Sequence, residues 1–236
     1  MPNIETILLI VILVIIKTVI ASIYFTLKNK ENFLTFLFYL TIFGILSSTF
    51  LNSFISFISN KQYLHYRVVT IIESTFFFIF FSLVITGAKF KKILIGASLA
   101  LFTLIVTDLI VTKANNFDSK PTFLESIIFL SFSIYYFFQE LNKPISTTFI
   151  YNTPIFWFVS GIMLYFSICF FFFINAEANQ NSEEFQTNFE IVMLIASLVQ
   201  SISFLIGFIM RKYSNENISK PETPPIAKIN LNDLLN

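Results

Sequence analysis

The sequence predicts an all-α integral membrane protein, a bundle of seven transmembrane helices. Three observations carry that expectation. Hydrophobic residues make up 56% of the 236-residue chain and charged residues only 12%, against about 25% in soluble domains, and mean hydropathy is +0.77. Seven apolar stretches approach or reach the roughly 20 residues that a helix needs to cross a bilayer. None alternates polar and apolar residues over about 10 positions, as barrel strands do, and lipid leaves the backbone no third way to satisfy its hydrogen bonds.

The first span is expected at residues 7–27. Its leading "MPNIET" holds no Lys or Arg and no small-x-small site follows closely, so it is expected to stay as a helix instead of being cleaved. The second, 33–55, carries Gly44, Ser48, Asn52 and Ser56 at a spacing of four, which lets helices approach and hydrogen-bond in lipid. The third, 68–86, reads "VVTIIESTFFFIFFSLVIT" and holds Glu73. The fourth, 93–111, has Gly96 and Ala100 on one face. The fifth, 122–138, is the shortest. The sixth, 154–174, opens on Pro154, which suits a first helical turn because its missing N–H is not needed there. Trp157 then sits as an interfacial belt residue, and the run from Phe170 to Phe173 reads as lipid-facing or core-filling. The seventh, 191–210, lines Ser197, Gln200, Ser203 and Gly207 on one face. A tail, 211–236, is polar with three prolines and expected to be disordered. It closes on "INLNDLLN", whose Ile229, Leu231, Leu234 and Leu235 suit docking on a partner.

Orientation follows from Lys and Arg. Lys28, Lys30, Lys89, Lys91, Lys92, Lys143, Arg211, Lys212, Lys220 and Lys228 fall on one side of a seven-span chain, and Lys61, Arg67, Lys113 and Lys120 on the other. The ten-cation side is expected to be cytoplasmic, with the N-terminus outside and the C-terminus inside a bacterial inner membrane.

Several function classes are excluded. Net charge is +1, so nothing invites nucleic acid. The lone Cys169 cannot form an internal disulfide or a thiolate cluster. The lone His65 rules out a multi-histidine zinc site. No cofactor or metal is expected.

The ionisable residues within the spans are the candidate site. Charge in a bilayer costs roughly 2.5–3.5 kcal/mol on insertion scales, so it turns to the bundle interior or a water cavity. Lys17, Glu73, Asp108 and Glu125, with His65 before the third span and Gln200 in the seventh, are the ligand-pocket candidates. In the orientation above, the acids all fall in the outer half. Asp108 and Glu125 also read as interfacial groups reaching toward headgroups, and His65 as a hydrogen-bonded loop residue. At 1.5 Å per residue Glu73 lies roughly 8 Å deep and Lys17 roughly 15 Å. That gap is close to the reach of a lysine, so the two are expected to face each other, as a buried pair or lining one pocket with Asp108 or Glu125.

"YLHYRVVTIIESTFFF" and "NTPIFWFVSGIMLYF" resemble a family of bacterial seven-helix membrane proteins. Its members stand alone or form the N-terminal membrane part of sensor histidine kinases. Phe156, Trp157, Gly161 and Tyr165 match its Phe-Trp-x-x-x-Gly-x-x-x-Tyr run, and the likeness covers most of residues 34–210. It implies a sensory role and supplies no ligand. With no kinase domain after Met210, output is expected to come from a cytoplasmic signalling partner such as a histidine kinase. Membrane lipid and a second copy of the chain are the other partners considered.

A small-solute transporter or channel is the alternative. Only Pro154 falls within a span and the chain has five glycines, so broken transporter helices are not evident. An intramembrane enzyme comes third: there is no His-Glu-x-x-His, and His65 is the single imidazole a serine nucleophile would have.

Overall fold

A computed structural model describes residues 4–27, 32–46, 64–112, 119–142, 150–174 and 183–218. Seven α-helices form among them: α1 Ile4–Thr26, α2 Asn32–Leu46, α3 Leu64–Val84, α4 Ala88–Thr112, α5 Ser119–Leu141, α6 Pro154–Ile174 and α7 Glu183–Ile218. There is no strand among the described residues. Five helices hold stretches long and apolar enough to cross a membrane: Tyr66–Val84, Ala88–Thr112, Ser119–Leu141, Pro154–Ile174 and Ile191–Tyr213. The apolar stretch described in α1, Val11–Phe25, is shorter, and α2 is 15 residues long as described.

Most helices overrun the apolar windows read from the sequence. The fourth starts at Ala88, taking in Lys89, Lys91 and Lys92, because long lysine stems cover apolar surface while their heads stay in water. The fifth, the shortest expected span, is a full 23 residues. The seventh runs eight residues past Met210 to Ile218, so the expected disordered stretch is helical at its start. The rest of the tail, with Ile229, Leu231, Leu234 and Leu235, lies outside the described residues. Ser48, Asn52 and Ser56 lie outside them too. Pro154 is the first residue of α6, as expected.

The helices run up and down. Tyr24 near the end of α1 stacks on Phe38 of α2 at 4.2 Å, and its hydroxyl lies 3.1 Å from Thr35 Oγ1. Phe123 at the start of α5 stacks on Phe170 at the end of α6, at 5.2 Å. Phe158 at the start of α6 meets Phe208 late in α7 at 5.1 Å. Tyr24 meets the same Phe208 at 6.5 Å, so α1 and α7 run in parallel. The most extensive packing is α6 on α7, then α5 on α6 and α1 on α7. With α1 on α2, α2 on α3 and α3 on α5, the chain closes a ring. Helix α4 stands outside it, touching α3 and α5, and presents exposed Ile93, Ile95, Leu99, Val106 and Ile110.

Buried phenylalanines fill the ring. Phe77, Phe129 and Phe166, all at most 1% exposed, meet at 5.0–5.3 Å. The α6 phenylalanine run splits by helical periodicity: Phe171 is exposed and Phe173 buried.

Glycine decides the α6–α7 seam. A Cβ on Gly207 would lie 2.6 Å from Phe158 Cε1, and one on Gly161 would lie 2.8 Å from Ser203 Cβ and 3.2 Å from the Gln200 carbonyl oxygen. The expected seam at Ser203 and Gly207 is therefore real. The one expected at Gly96 and Ala100 is not: both are exposed and nothing lies within 4 Å of a Cβ on Gly96.

Candidate functional site

Glu73, Asp108 and Glu125 lie toward one end of the bundle, where α3 and α5 begin and α4 ends; Lys89, Lys91, Lys92 and Lys212 lie at the other, together with Glu140. Within the acidic end the ionisable groups sort into two centres.

The first joins α3 to α4. Arg67 Nη1 donates to Asp108 Oδ2, and Arg67 Nη2 donates to Thr112 Oγ1 at 2.9 Å. Arg67 is 1% exposed. The antiparallel run of α3 and α4 places the start of one against the end of the other. Asp108 thus pairs with Arg67. Arg67 is correspondingly no free loop cation. It was missed because it lies one residue before the apolar window; an acid at matching depth in the neighbouring helix was the signal available.

The second centre lies deeper and draws on five helices. On α3, Glu73 is half-buried and accepts from the Tyr165 hydroxyl of α6 at 3.5 Å. Lys17 of α1, also half-buried, acts on Glu73 electrostatically. The two do not touch: no ion pair within 4.0 Å joins them. Glu125 of α5, 2% exposed, accepts from the Ser74 hydroxyl at 2.5 Å. Both carboxylates, Glu73 and Glu125, act on Tyr165 and Cys169, and Cys169 lies 3.8 Å from Met193 of α7. Charge buried in this way is tolerated where partners surround it.

Gln200 of α7 stands near this layer. Counting back seven residues, about 10 Å, from the Tyr24–Phe208 contact brings both parallel helices to Lys17 and Ser201. Tyr165 stands one turn, about 6 Å, beyond Gly161, whose neighbour is the Gln200 backbone, so Tyr165 lies about one turn from Gln200 along the bundle. Gln200 Nε2 is buried and has no hydrogen-bond partner among the described residues.

Of the six sequence candidates, Lys17 acts on Glu73, Glu73 and Glu125 both act on Tyr165, Gln200 stands on the adjoining α7, and Asp108 bonds Arg67. His65 stands in the first turn of α3, and its side chain lies outside the described residues. Tyr165 and Ser74 were missed as site residues, although Tyr165 closes the Phe-Trp-x-x-x-Gly-x-x-x-Tyr run.

No family model, curated protein or solved structure matches the chain. The likeness to histidine-kinase membrane regions rests on the quoted motifs alone.

Proposed function

We propose that this chain is a sensory membrane module of a bacterial inner membrane. It takes a signal at the layer formed by Lys17, Glu73, Glu125, Tyr165 and Gln200, and passes it to a cytoplasmic signalling partner such as a histidine kinase. The N-terminus is outside and the C-terminus inside, with seven spans. The cation distribution supports that orientation: Lys89, Lys91, Lys92 and Lys212 lie at the α7 C-terminal end, while Arg67 at the other end is held by Asp108.

The observation that carries the reading is α7. It is one unbroken helix of 36 residues, about 54 Å long. It contributes Gln200 to the layer and continues past its apolar stretch to Ile218. A ligand that binds one arrangement of the layer better than another shifts the bundle toward it, and a stiff helix carries that shift to the far end.

Spin labels test this. In a Cys169→Ser background, Lys89→Cys and Tyr213→Cys place labels on exposed positions of α4 and α7 at the lysine-rich end. Adding Glu73→Gln is expected to change the distance distribution between them. An unchanged distribution rejects coupling through α7. Solute counterflow in proteoliposomes that depends on Glu73 replaces sensing with transport.

A further inference from the structure

We infer that the outer face of α4 binds an anionic phospholipid, with the phosphate at Lys89 and Lys92 and an acyl chain along the apolar stripe that follows them. The inference goes beyond the sensory reading and does not rest on it.

Helix α4 has two unlike faces. Phe90, Leu101 and Ile105 are buried, with Phe90 against Phe132 at 5.1 Å and stacked on Tyr135 at 5.3 Å. Away from them, Lys92, Ile95, Leu99, Val106 and Ile110 are exposed. Their spacings of three, four, seven and four residues set them in one line along the helix. Lys89 stands one turn before Lys92 on the same face, and Lys91 flanks it.

The apolar part of this face suits any helix bathed in lipid, but the charge at its head has no partner in the fold. The side chains of Lys89, Lys91 and Lys92 are exposed and form neither an ion pair nor a hydrogen bond among the described residues. Glu140, at the same end of the bundle, acts on Tyr136 of its own helix. The first turn of α4 holds no acid, so three ammonium groups crowd the positive end of a helix dipole with nothing to offset them.

A lipid with a net negative headgroup meets both halves of the face. Its phosphate oxygens accept from the Lys89 and Lys92 ammonium groups, and its chain runs over Ile95 and Leu99, roughly 5 and 10 Å further along the helix. A zwitterionic headgroup brings its own cation against the lysines. A second copy of the chain, running the same way through the membrane, would set its lysines against these.

Quenching by brominated lipid tests the site. Leu99→Trp in a Trp157→Phe background leaves one tryptophan, on the α4 stripe; Leu164→Trp, exposed on α6, is the comparator. The full chain is reconstituted in dioleoylphosphatidylcholine vesicles, and brominated phosphatidylglycerol is compared with brominated phosphatidylcholine. At Leu99→Trp the anionic lipid is expected to be preferred roughly tenfold, and Lys92→Gln to cut that preference about fivefold. High salt should weaken it, and at Leu164→Trp the two lipids should quench alike. In the unaltered chain, phosphatidylglycerol should raise the melting temperature in detergent more than phosphatidylcholine does, and Lys92→Gln should shrink the difference.

Equal quenching by the two lipids at Leu99→Trp, the same preference at Leu164→Trp, or a preference unmoved by Lys92→Gln overturns the inference. Displacement of the brominated lipid by free glycerol 3-phosphate replaces it with a site for soluble phosphate. Absence of quenching by either lipid means that protein covers α4, a second copy or another chain, and also overturns it.

Discussion

Arg67 and Lys17 are both cations within the bundle, and their surroundings predict different behaviour. Arg67 bonds Asp108 directly and is fully buried. Removing one member of such a pair typically costs about 3–5 kcal/mol, because the other charge is left alone. Arg67→Met is therefore expected to lower thermal stability in detergent sharply, and Arg67→Met with Asp108→Leu to regain most of it. Lys17 acts on Glu73 without touching it, so Lys17→Met and Glu73→Gln should each cost less than Arg67→Met. The double mutant should still be less unstable than the sum. Strict additivity in that cycle removes the coupling. Helical rise, which converts residue number into depth, pointed to a Lys17–Glu73 pair, and the two do not touch within 4.0 Å. The Arg67–Asp108 bond was not legible, since depth alone leaves undecided which helices are neighbours.

At the scale of the helix, small residues divide into those that hold a neighbour close and those that face outward. Gly207 and Gly161 leave no room for a methyl group at the α6–α7 seam. Gly207→Ala is expected to destabilise by about 1–3 kcal/mol, the usual cost of overpacking, and Phe158→Leu to return part of it. Gly161→Ala should also destabilise, because a backbone carbonyl stands among its neighbours and cannot turn away. Gly96→Ala should stabilise by up to about 1 kcal/mol, since helix propensity improves and no atom is met. Melting curves of the three variants check the ranking. Spacing alone made the stripes of α4 and α7 look alike. What distinguishes them is position: α7 has α6 and α1 against it, and α4 stands outside the ring. The start of α4 was similarly hidden, because an apolar window stops at Lys92 while the helix does not.

For the whole molecule, lipid as solvent dictated helices, and composition alone announced it. Closure of the ring was not legible, because near-uniform apolar surfaces say little about which helix meets which. The orientation is tested with impermeant maleimide on intact cells in the Cys169→Ser background. Lys120→Cys is expected to react and Tyr213→Cys to react only after lysis; the reverse pattern inverts the topology. The short connection between α3 and α4 has a consequence for biosynthesis. Only residues 85–87 join the two helices, with Gly87 at φ 128° making a bend that other residues rarely adopt. Arg67, at the start of α3, costs less than the about 2.5–3.5 kcal/mol of a mid-span arginine when a translocon releases its helix alone, but its buried guanidinium still lacks the Asp108 carboxylate. Asp108 is made some forty residues later, at the far end of α4, and only then can the charge be met. The α3–α4 hairpin is therefore expected to leave the translocon together, with α3 waiting at its mouth until α4 has been synthesised. In glycosylation mapping, α3 alone should insert less completely than the hairpin, and Asp108→Asn should bring the hairpin back toward the efficiency of α3 alone.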